Sequence, residues 1–123
     1  MKKRRGGTCV EFAVVCPFLF AILFGIMECG MYLYVKMTTQ HAAMVAARTG
    51  SLTTADTDDV ERTIEQFMVG IEYDTPPFVE FKKCLVTVEI VVPYGEMSVF
   101  RPGIPDIKKR VVMRMEGCTV PPE

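Results

Sequence analysis

The sequence is poor in the residues that enzymes use for catalysis and for metal binding. Its 123 residues include one histidine, His41, and two serines, Ser51 and Ser98. The cysteines and the histidine do not follow the spacing of a zinc site, and no glycine-rich loop of the nucleotide-binding kind follows a strand. We therefore expect a protein that is not an enzyme, with no cofactor, no metal and no small-molecule substrate, in which His41 is solvated or packed.

Basic residues are scarce outside one cluster at the start of the chain, formed by Lys2, Lys3, Arg4 and Arg5. Without these four, ten of the fourteen Lys and Arg residues remain against fifteen Asp and Glu residues. A protein that binds nucleic acid presents a basic surface to the phosphates, and this acidic body lacks the charge for one. The composition argues against nucleic acid as a partner, and we interpret the basic cluster as a membrane topology signal.

A long apolar segment, from Phe12 to Val35, follows the basic cluster and contains a single charged residue, Glu28. As a helix that rises about 1.5 Å per residue, the segment would extend about 36 Å, enough to cross a hydrocarbon core of about 30 Å. Only helices and closed barrels satisfy backbone polar groups in lipid, and one segment cannot form a barrel. We expect a single-pass membrane helix, with the basic end cytoplasmic and the rest of the chain on the other side.

Glu28 has two interpretations. It falls in the outer third of the span, where an acidic side chain usually faces protein or water. Alternatively, the span ends near Met27, and Glu28 lies at the membrane surface beside Tyr32 and Tyr34. A span from Phe12 to Met27 would cover about 24 Å, slightly less than a typical hydrocarbon core.

The N-terminal segment lacks the pattern of a cleaved secretory signal peptide. Such a peptide has roughly 7–15 apolar residues followed by small residues at the cleavage site, whereas this apolar segment is longer. It also ends in Met-Tyr-Leu-Tyr-Val, without small residues. The small residues Gly6 and Gly7 lie instead between the basic cluster and the apolar segment, so any cleavage would occur at the cytoplasmic face.

The string RRGGTCVEFAVVCPFLFAILFGIMECG resembles the N-terminus of TadE-like proteins, minor pseudopilins of tight-adherence (Tad) pilus systems, and of type IV prepilins more widely. The shared pattern is a basic leader, a glycine, four residues, a glutamate, an aromatic residue and an apolar helix. The resemblance implies cleavage by a prepilin peptidase after Gly6 or Gly7, in a motif completed by Glu11 and Phe12. It also implies a structural subunit of the bacterial inner membrane, with lipid, other pilin-like subunits and pilus assembly proteins as partners.

Glu11 can be interpreted in two ways. A carboxylate in lipid costs several kcal/mol unless it has a partner, and cleavage after Gly6 would create an α-amino group four residues away. In a bundle of such helices, Glu11 of one subunit could pair with that amine on a neighbour. Alternatively, Glu11 stabilises the N-terminus of its own helix through the helix dipole.

We expect an α+β fold that starts with a leader (residues 1–6) and a long transmembrane and stalk helix (7–50) extending outward. A small extracytoplasmic domain (51–123) follows, in which one helix packs on a short antiparallel sheet. Gly50 is the expected stop of the first helix. Asp58 and Glu61 are predicted to cap the second helix, whose apolar face is Val60, Ile64, Phe67, Met68 and Ile71.

Alternating apolar residues predict two strands that form an antiparallel pair. Val86–Val92 and Lys109–Glu116 are these strands, and an earlier short strand is expected around Phe78–Lys82. The expected inward residues of the last strand are Val111, Met113 and Met115. The expected outward residues are Arg110, Arg114 and Glu116. Prolines and glycines predict a loop from Pro93 to Asp106.

The five cysteines form two groups. Cys9, Cys16 and Cys29 belong to the span, whereas Cys84 and Cys118 lie beyond it, where oxidation is allowed. The last two flank the strand pair, so a disulfide between them is a hypothesis. Pairing Val88 with Met113 would set Cys84 opposite Gly117 and turn Cys118 to the other face, unless a bulge at Gly117 corrects it.

Two functional hypotheses follow. The first is a minor pilin-like subunit that is cleaved at the cytoplasmic face and takes part in assembly of a Tad pilus or a related secretion apparatus. The second is an unprocessed single-pass anchor whose acidic outer domain binds a partner in the cell envelope. The first hypothesis requires Gly6 and Glu11, and the second requires neither.

Overall fold

The computed structural model of the 123-residue chain describes residues 7–52, 55–74, 76–97 and 103–118. The basic cluster, Gly6 and Ser98 lie outside these ranges. The chain divides into two compact units between Leu33 and Tyr34, called here the N-terminal unit and the C-terminal unit. The elements are α1 (Gly7–Gly50), α2 (Thr57–Phe67), β1 (Phe78–Lys82), β2 (Leu85–Val92), α3 (Tyr94–Met97) and β3 (Ile107–Arg114).

The described part of the N-terminal unit is the first part of α1, and its large apolar side chains are exposed. Their exposed fractions run from 44% at Phe24 to 69% at Phe18. By length and composition, α1 can cross a membrane, and none of its most apolar 18-residue window is buried. Pro17 lies inside the helix. The described part of the N-terminal unit therefore leaves these side chains largely uncovered.

The part of α1 that belongs to the C-terminal unit has a buried face. The buried residues recur at helical spacing and are mostly small: Val35, Thr39, Ala42, Ala43, Ala46, Ala47 and Gly50. The hydroxyl of Thr39 is buried and donates a hydrogen bond of 2.8 Å to the carbonyl of Val35, so it is satisfied within the helix. Alanines on this face allow the other elements to approach the helix backbone closely.

Gly50 ends α1 as expected, but for a different physical reason. A glycine at a helix end usually supplies a left-handed backbone conformation. Gly50 is not among the residues with positive φ, whereas a Cβ atom there would lie 3.0 Å from methyl groups of both Val60 and Val86. Glycine is needed here because α2 and β2 pack against the end of the helix.

The N-terminus of α2 lies two residues earlier than the predicted capping pair. Asp56 is the N-cap: its carboxylate accepts a hydrogen bond of 2.7 Å from the amide of Thr57. The Asp59 side chain in turn accepts a hydrogen bond of 3.3 Å from the amide of Asp56, which completes a capping box. The prediction of Asp58 and Glu61 was wrong because both frames place an acidic residue at the third helical position, and the sequence does not distinguish them.

The predicted apolar face of α2 is correct at four of its five positions. Val60, Ile64, Met68 and Ile71 are buried, while Phe67 is 39% exposed. The helix itself ends at Phe67 with Met68 as its C-cap, and Gly70 follows with φ of +79°. Met68 and Ile71 therefore reach the core from the turn after the helix.

The sheet is antiparallel in the order β1-β2-β3. The four inward residues of β2 are fully buried, as the alternation predicts: Val86, Val88, Ile90 and Val92. The predicted pairing of Val88 with Met113 was wrong, because Val88 pairs with Val111 and Val86 with Met113. Both registers keep the apolar faces aligned, so alternation alone could not choose between them.

Two connections in the sheet differ from simple sequence signals. β1 and β2 are joined by Lys83 and Cys84, whose φ values of +43° and +69° resemble those of a type I′ turn. Asn-Gly or Asp-Gly would mark such a turn in a sequence, and Lys-Cys does not. The predicted loop after β2 begins with one helical turn, α3, in which Tyr94 is 2% exposed. Gly95 allows this turn, since a Cβ atom there would lie 2.8 Å from the carbonyl oxygen of Ile104.

The core of the C-terminal unit lies where the buried faces of α1, α2 and β2 meet around Gly50. The predicted α+β class, a long apolar N-terminal helix followed by a small unit with a helix and a short antiparallel sheet, is confirmed. Ile107 of β3 is also buried, but Val111, Met113 and Met115 are only half-buried.

Candidate functional site

The residues of the proposed cleavage motif lie at the start of α1. Gly7 is the first described residue of the helix, and a Cβ atom there would have no neighbour within 4 Å. Glu11 and Phe12 follow and are exposed, Phe12 to 68%. The first turn of α1 contains no acidic residue, so Glu11 lies beyond the positions where the helix dipole acts most strongly. In this chain its carboxylate is open to a partner in another molecule.

The N-terminal unit shields few of its own side chains. From Gly7 to Leu33, Cys16, Glu28 and Tyr32 are half-buried, and the other residues are exposed. Cys9, Cys16 and Cys29 are free cysteines. This part of α1 therefore offers its whole circumference to lipid or to neighbouring helices.

Cys84 and Cys118 form a disulfide, with their Cα atoms 5.6 Å apart. Cys84 ends the two-residue turn between β1 and β2, and its carbonyl accepts a hydrogen bond of 2.8 Å from the amide of Met115. A turn at Glu116 and Gly117 then brings Cys118 back to the sheet. The two-residue shift of register puts Met115, and not Gly117, opposite Cys84. The disulfide therefore depends on a turn after β3 and not on a bulge at Gly117.

The C-terminal unit has an open groove of about 650 Å³ between α1 and Phe67. His41 and Phe67 lie side by side in it, with ring centroids 5.1 Å apart in an edge-on arrangement. Met37 and Met44 line the groove and are 73% and 45% exposed. His41 therefore packs against an aromatic ring at the surface, and Phe67 is exposed because it faces this groove and not the core.

The sheet has a solvent face that is not purely polar. Its outward residues include four basic side chains, which are Lys82, Lys108, Arg110 and Arg114. Among them lie three large apolar side chains with exposed fractions of 44–54%: Phe78, Leu85 and Val112. The sequence pattern placed Arg110 and Arg114 on this side but did not identify the three apolar residues as part of it. This surface is called here the open sheet face.

Tyr73 follows α2 and lies near the acidic residues of that helix. Its pKa is raised above the ordinary value of 10.0, first because partial burial disfavours the phenolate and then because Glu65 and Glu61 repel it. The carboxylates of Glu61 and Glu65 on α2 therefore contribute to the raised pKa of Tyr73, which lies beyond the end of that helix.

The described residues show no arrangement typical of a metal centre. Within residues 7–52, 55–74, 76–97 and 103–118, no three side chains of His, Cys, Asp or Glu are grouped so that they could hold a metal ion. What the geometry does present is an exposed apolar helix with one carboxylate near its start and a small unit with exposed surfaces.

Comparison with known protein families gives a match that covers most of α1. Residues 6–48 match the family model described as TadE-like protein. No curated protein and no solved structure matches the chain. The matched segment contains Gly6, Glu11 and the apolar part of α1, which are the features that carried the resemblance in the sequence. The family suggests a pilin-like subunit associated with a Tad pilus, anchored in a membrane and in contact with other pilus subunits, a structural component that is not known as an enzyme. The resemblance seen in the sequence is thus confirmed, and over residues 6–48 this chain matches the TadE-like family.

Proposed function

We propose that the protein is a minor pilin-like subunit for assembly of a Tad pilus or a related secretion apparatus. A prepilin peptidase cleaves it at the cytoplasmic face after Gly6 or Gly7, and the mature helix then enters the assembly. The single observation that carries this proposal is the family match over residues 6–48, which covers the leader glycine, the glutamate and the apolar helix in their required order.

The exposure of the N-terminal unit supports the same role. Its apolar side chains are satisfied by lipid before assembly and by neighbouring helices after it. Glu11 is the exception, because a carboxylate is costly in lipid without a partner. Cleavage after Gly6 would supply one, the α-amino group of Gly7 on an adjacent subunit. Such a pair would fix the axial register between neighbouring helices.

The proposed topology follows from charge. The basic residues from Lys2 to Arg5 keep the N-terminus in the cytoplasm, and the C-terminal unit lies outside the inner membrane. The disulfide between Cys84 and Cys118 fits this placement, since disulfides persist in oxidising compartments.

Cleavage is tested by N-terminal sequencing and intact mass of the protein recovered from its native membrane. We expect a mature chain that begins at Gly7 or Thr8, and a full-length chain when Gly6→Leu is introduced. Gly25→Leu is the matched control, because it makes the same exchange deeper in the same helix and leaves the cleavage motif intact. A wild-type chain that still begins at Met1 or Lys2 would instead support an unprocessed anchor whose acidic unit binds an envelope partner.

Assembly is tested separately with Glu11→Gln, which removes the charge and keeps the size of the side chain. We expect normal cleavage and a reduced amount of the protein in the sheared pilus fraction, measured against the membrane fraction. Glu28→Gln is the control for loss of a carboxylate elsewhere in the helix. Equal incorporation of the Glu11 variant and the wild type would exclude the pairing with a neighbour's amine.

A further inference from the structure

The open sheet face carries more positive than negative charge. Its four basic side chains stand beside two carboxylates of the strands, Glu80 and Glu89, and Asp74 lies near Glu89 and Arg110 at one end of the face. Glu80 lies 3.8 Å from Lys82, and Glu89 accepts two hydrogen bonds from Arg110, of 2.8 and 2.6 Å. In the part of the chain that the structure describes, Lys108 has no carboxylate partner. The face therefore keeps an unneutralised basic edge along β3.

The same face also carries exposed apolar side chains on all three strands. Antiparallel sheets that face water usually alternate apolar residues inward with polar residues outward. Here Phe78, Leu85 and Val112 point outward and are exposed by 54%, 44% and 52%. Protein–protein interfaces are enriched in aromatic residues and in arginine, and this face carries Phe78 together with Arg110 and Arg114. The open sheet face thus has the character of a contact surface and not of an ordinary solvated face.

The exposed side of α2 has the opposite charge. Beyond the N-cap Asp56, it carries four acidic residues, which are Asp58, Asp59, Glu61 and Glu65, and one basic residue, Arg62. The other side of α2 is buried through Val60 and Ile64. Because the sheet buries its inner face in the same core, the acidic surface of α2 and the open sheet face point away from each other. One molecule cannot bring them together, but two molecules can.

We propose that the open sheet face of one copy docks on the acidic α2 surface of a second copy of this chain. The contact is heterologous, so a docked pair leaves one basic surface and one acidic surface free for further copies. Helices that anchor both copies in one membrane raise their effective concentration, so modest charge pairing suffices. This inference goes beyond the proposed function, because the contact does not depend on cleavage or on Glu11.

The test is co-purification of a tagged and an untagged full-length copy from solubilised membranes, with the same substitutions in both copies. The pair Lys108→Glu and Arg114→Glu reverses the charge of the basic edge along β3. The pair Asp58→Lys and Glu65→Lys reverses the charge of the acidic α2 surface. Asp59 is left unchanged because it belongs to the capping box. We expect each reversal alone to lower recovery of the untagged copy about tenfold, since like charges then face each other. The chain that carries both reversals should recover wild-type levels, with the two signs exchanged.

Failure of the double reversal to restore recovery would overturn the proposal, as would a single reversal that has no effect. Arg62→Glu is the matched control: it also makes the chain more acidic, but on the surface that is already acidic, so recovery should be retained. If Arg62→Glu lowered recovery as the sheet reversal does, net charge would explain the result and the proposal would fall. Wild-type recovery should also decrease between about 0.1 M and about 1 M salt, as screening shortens the range of the charges.

Repeating the experiment in the Gly6→Leu background separates this inference from the proposed function. Docking of the two surfaces should persist when cleavage is blocked. If the copies co-purify in a charge-dependent way but the native chain is not cleaved, the docking proposal stands and the proposed pilin-like function is wrong. If the native chain is cleaved but co-purification does not depend on charge, the proposed function stands and the docking proposal is wrong. Cooperative urea unfolding, followed by the tyrosine signal, reports that the C-terminal unit of each variant is folded.

Discussion

At the scale of single residues, Gly50 is constrained by side chains from two other elements of the C-terminal unit. It lies at the end of α1, where a Cβ atom would be 3.0 Å from the side chains of both Val60 and Val86. Those valines are fully buried, so neither can move away into solvent. The missing side chain at Gly50 therefore allows the end of α1, α2 and β2 to pack closely at this point.

We expect Gly50→Ala to lower the free energy of unfolding by about 1–3 kcal/mol, because the added methyl group overpacks the core. The measurement is urea unfolding of the full-length protein in detergent, followed by the signal of the buried Tyr94. Gly30→Ala is the control, since its Cβ would meet nothing within 4 Å. A Gly50→Ala variant as stable as the control would show that the valines can repack around the methyl group.

Tyr73 provides a second prediction at this scale. Because its folded-state pKa is raised, the folded protein holds the phenolic proton more tightly than the unfolded chain does. The contribution to stability is complete below pH 10 and is lost as the pH rises through the folded-state pKa. Titration of tyrosine absorbance, with Tyr73→Phe to assign the signal, should show that Tyr73 ionises at a higher pH than a tyrosine with the ordinary pKa of 10.0.

Charge variants distinguish the causes of this shift. Glu65→Gln should lower the pKa of Tyr73 more than Glu61→Gln does, because the effect of Glu65 is the larger of the two. Glu72→Gln is the control, since this neighbour in sequence does not contribute to the shift. A pKa that is the same in all three variants would mean that burial alone accounts for it.

At the scale of elements, α2 depends on a cap that the sequence leaves ambiguous. Asp56 and Asp58 are both followed three residues later by an acidic residue, and the structure uses Asp56. We expect Asp56→Ala to cost about 1 kcal/mol of stability, as loss of an N-cap does. Asp58→Ala should change stability by no more than about 0.5 kcal/mol, because Asp58 is exposed in the first turn. Urea unfolding of both variants measures the difference, and a larger cost for Asp58→Ala would place the cap where the sequence pattern first suggested.

Which elements could be predicted follows from the kind of signal each one leaves. The apolar segment from Phe12 and the alternation from Val86 to Val92 repeat over many residues, so the long helix and the central strand were predicted correctly. The strand register was not, because a shift of two residues preserves the apolar face. The turn at Lys83 and Cys84 uses positive φ without glycine or asparagine, so it left no signal.

The surfaces were harder to predict than the core. Alternation placed Arg110 and Arg114 outward correctly, but it said nothing of Phe78, Leu85 and Val112, which share their face. Those residues come from three strands, so their position on one face can be deduced only when the register is known. Phe67 is a similar case: helical spacing assigned it to the core, while the turn after α2 lets Met68 and Ile71 fill that space.

At the scale of the whole molecule, the two units differ in what stabilises them. The described part of the N-terminal unit is a helix whose apolar side chains are exposed, so these residues form no core of their own. The C-terminal unit has its own core and a disulfide between residues 34 apart in the sequence, which encloses β2 and β3. Loss of that disulfide should therefore affect one unit and not the other.

We expect Cys84→Ser with Cys118→Ser to lower the stability of the C-terminal unit by about 3–4 kcal/mol, the chain-entropy effect of opening a loop of this length. In detergent, the tyrosine signal of the C-terminal unit should be lost at lower urea, while a helical circular dichroism signal from the N-terminal unit remains. Cys29→Ser is the matched control, because it removes a free thiol. Labelling of the unreduced, unfolded wild type should count three free thiols among the five cysteines. A count of five would mean that the bridge does not form in the cell, and the stability of this unit would then have to come from its core alone.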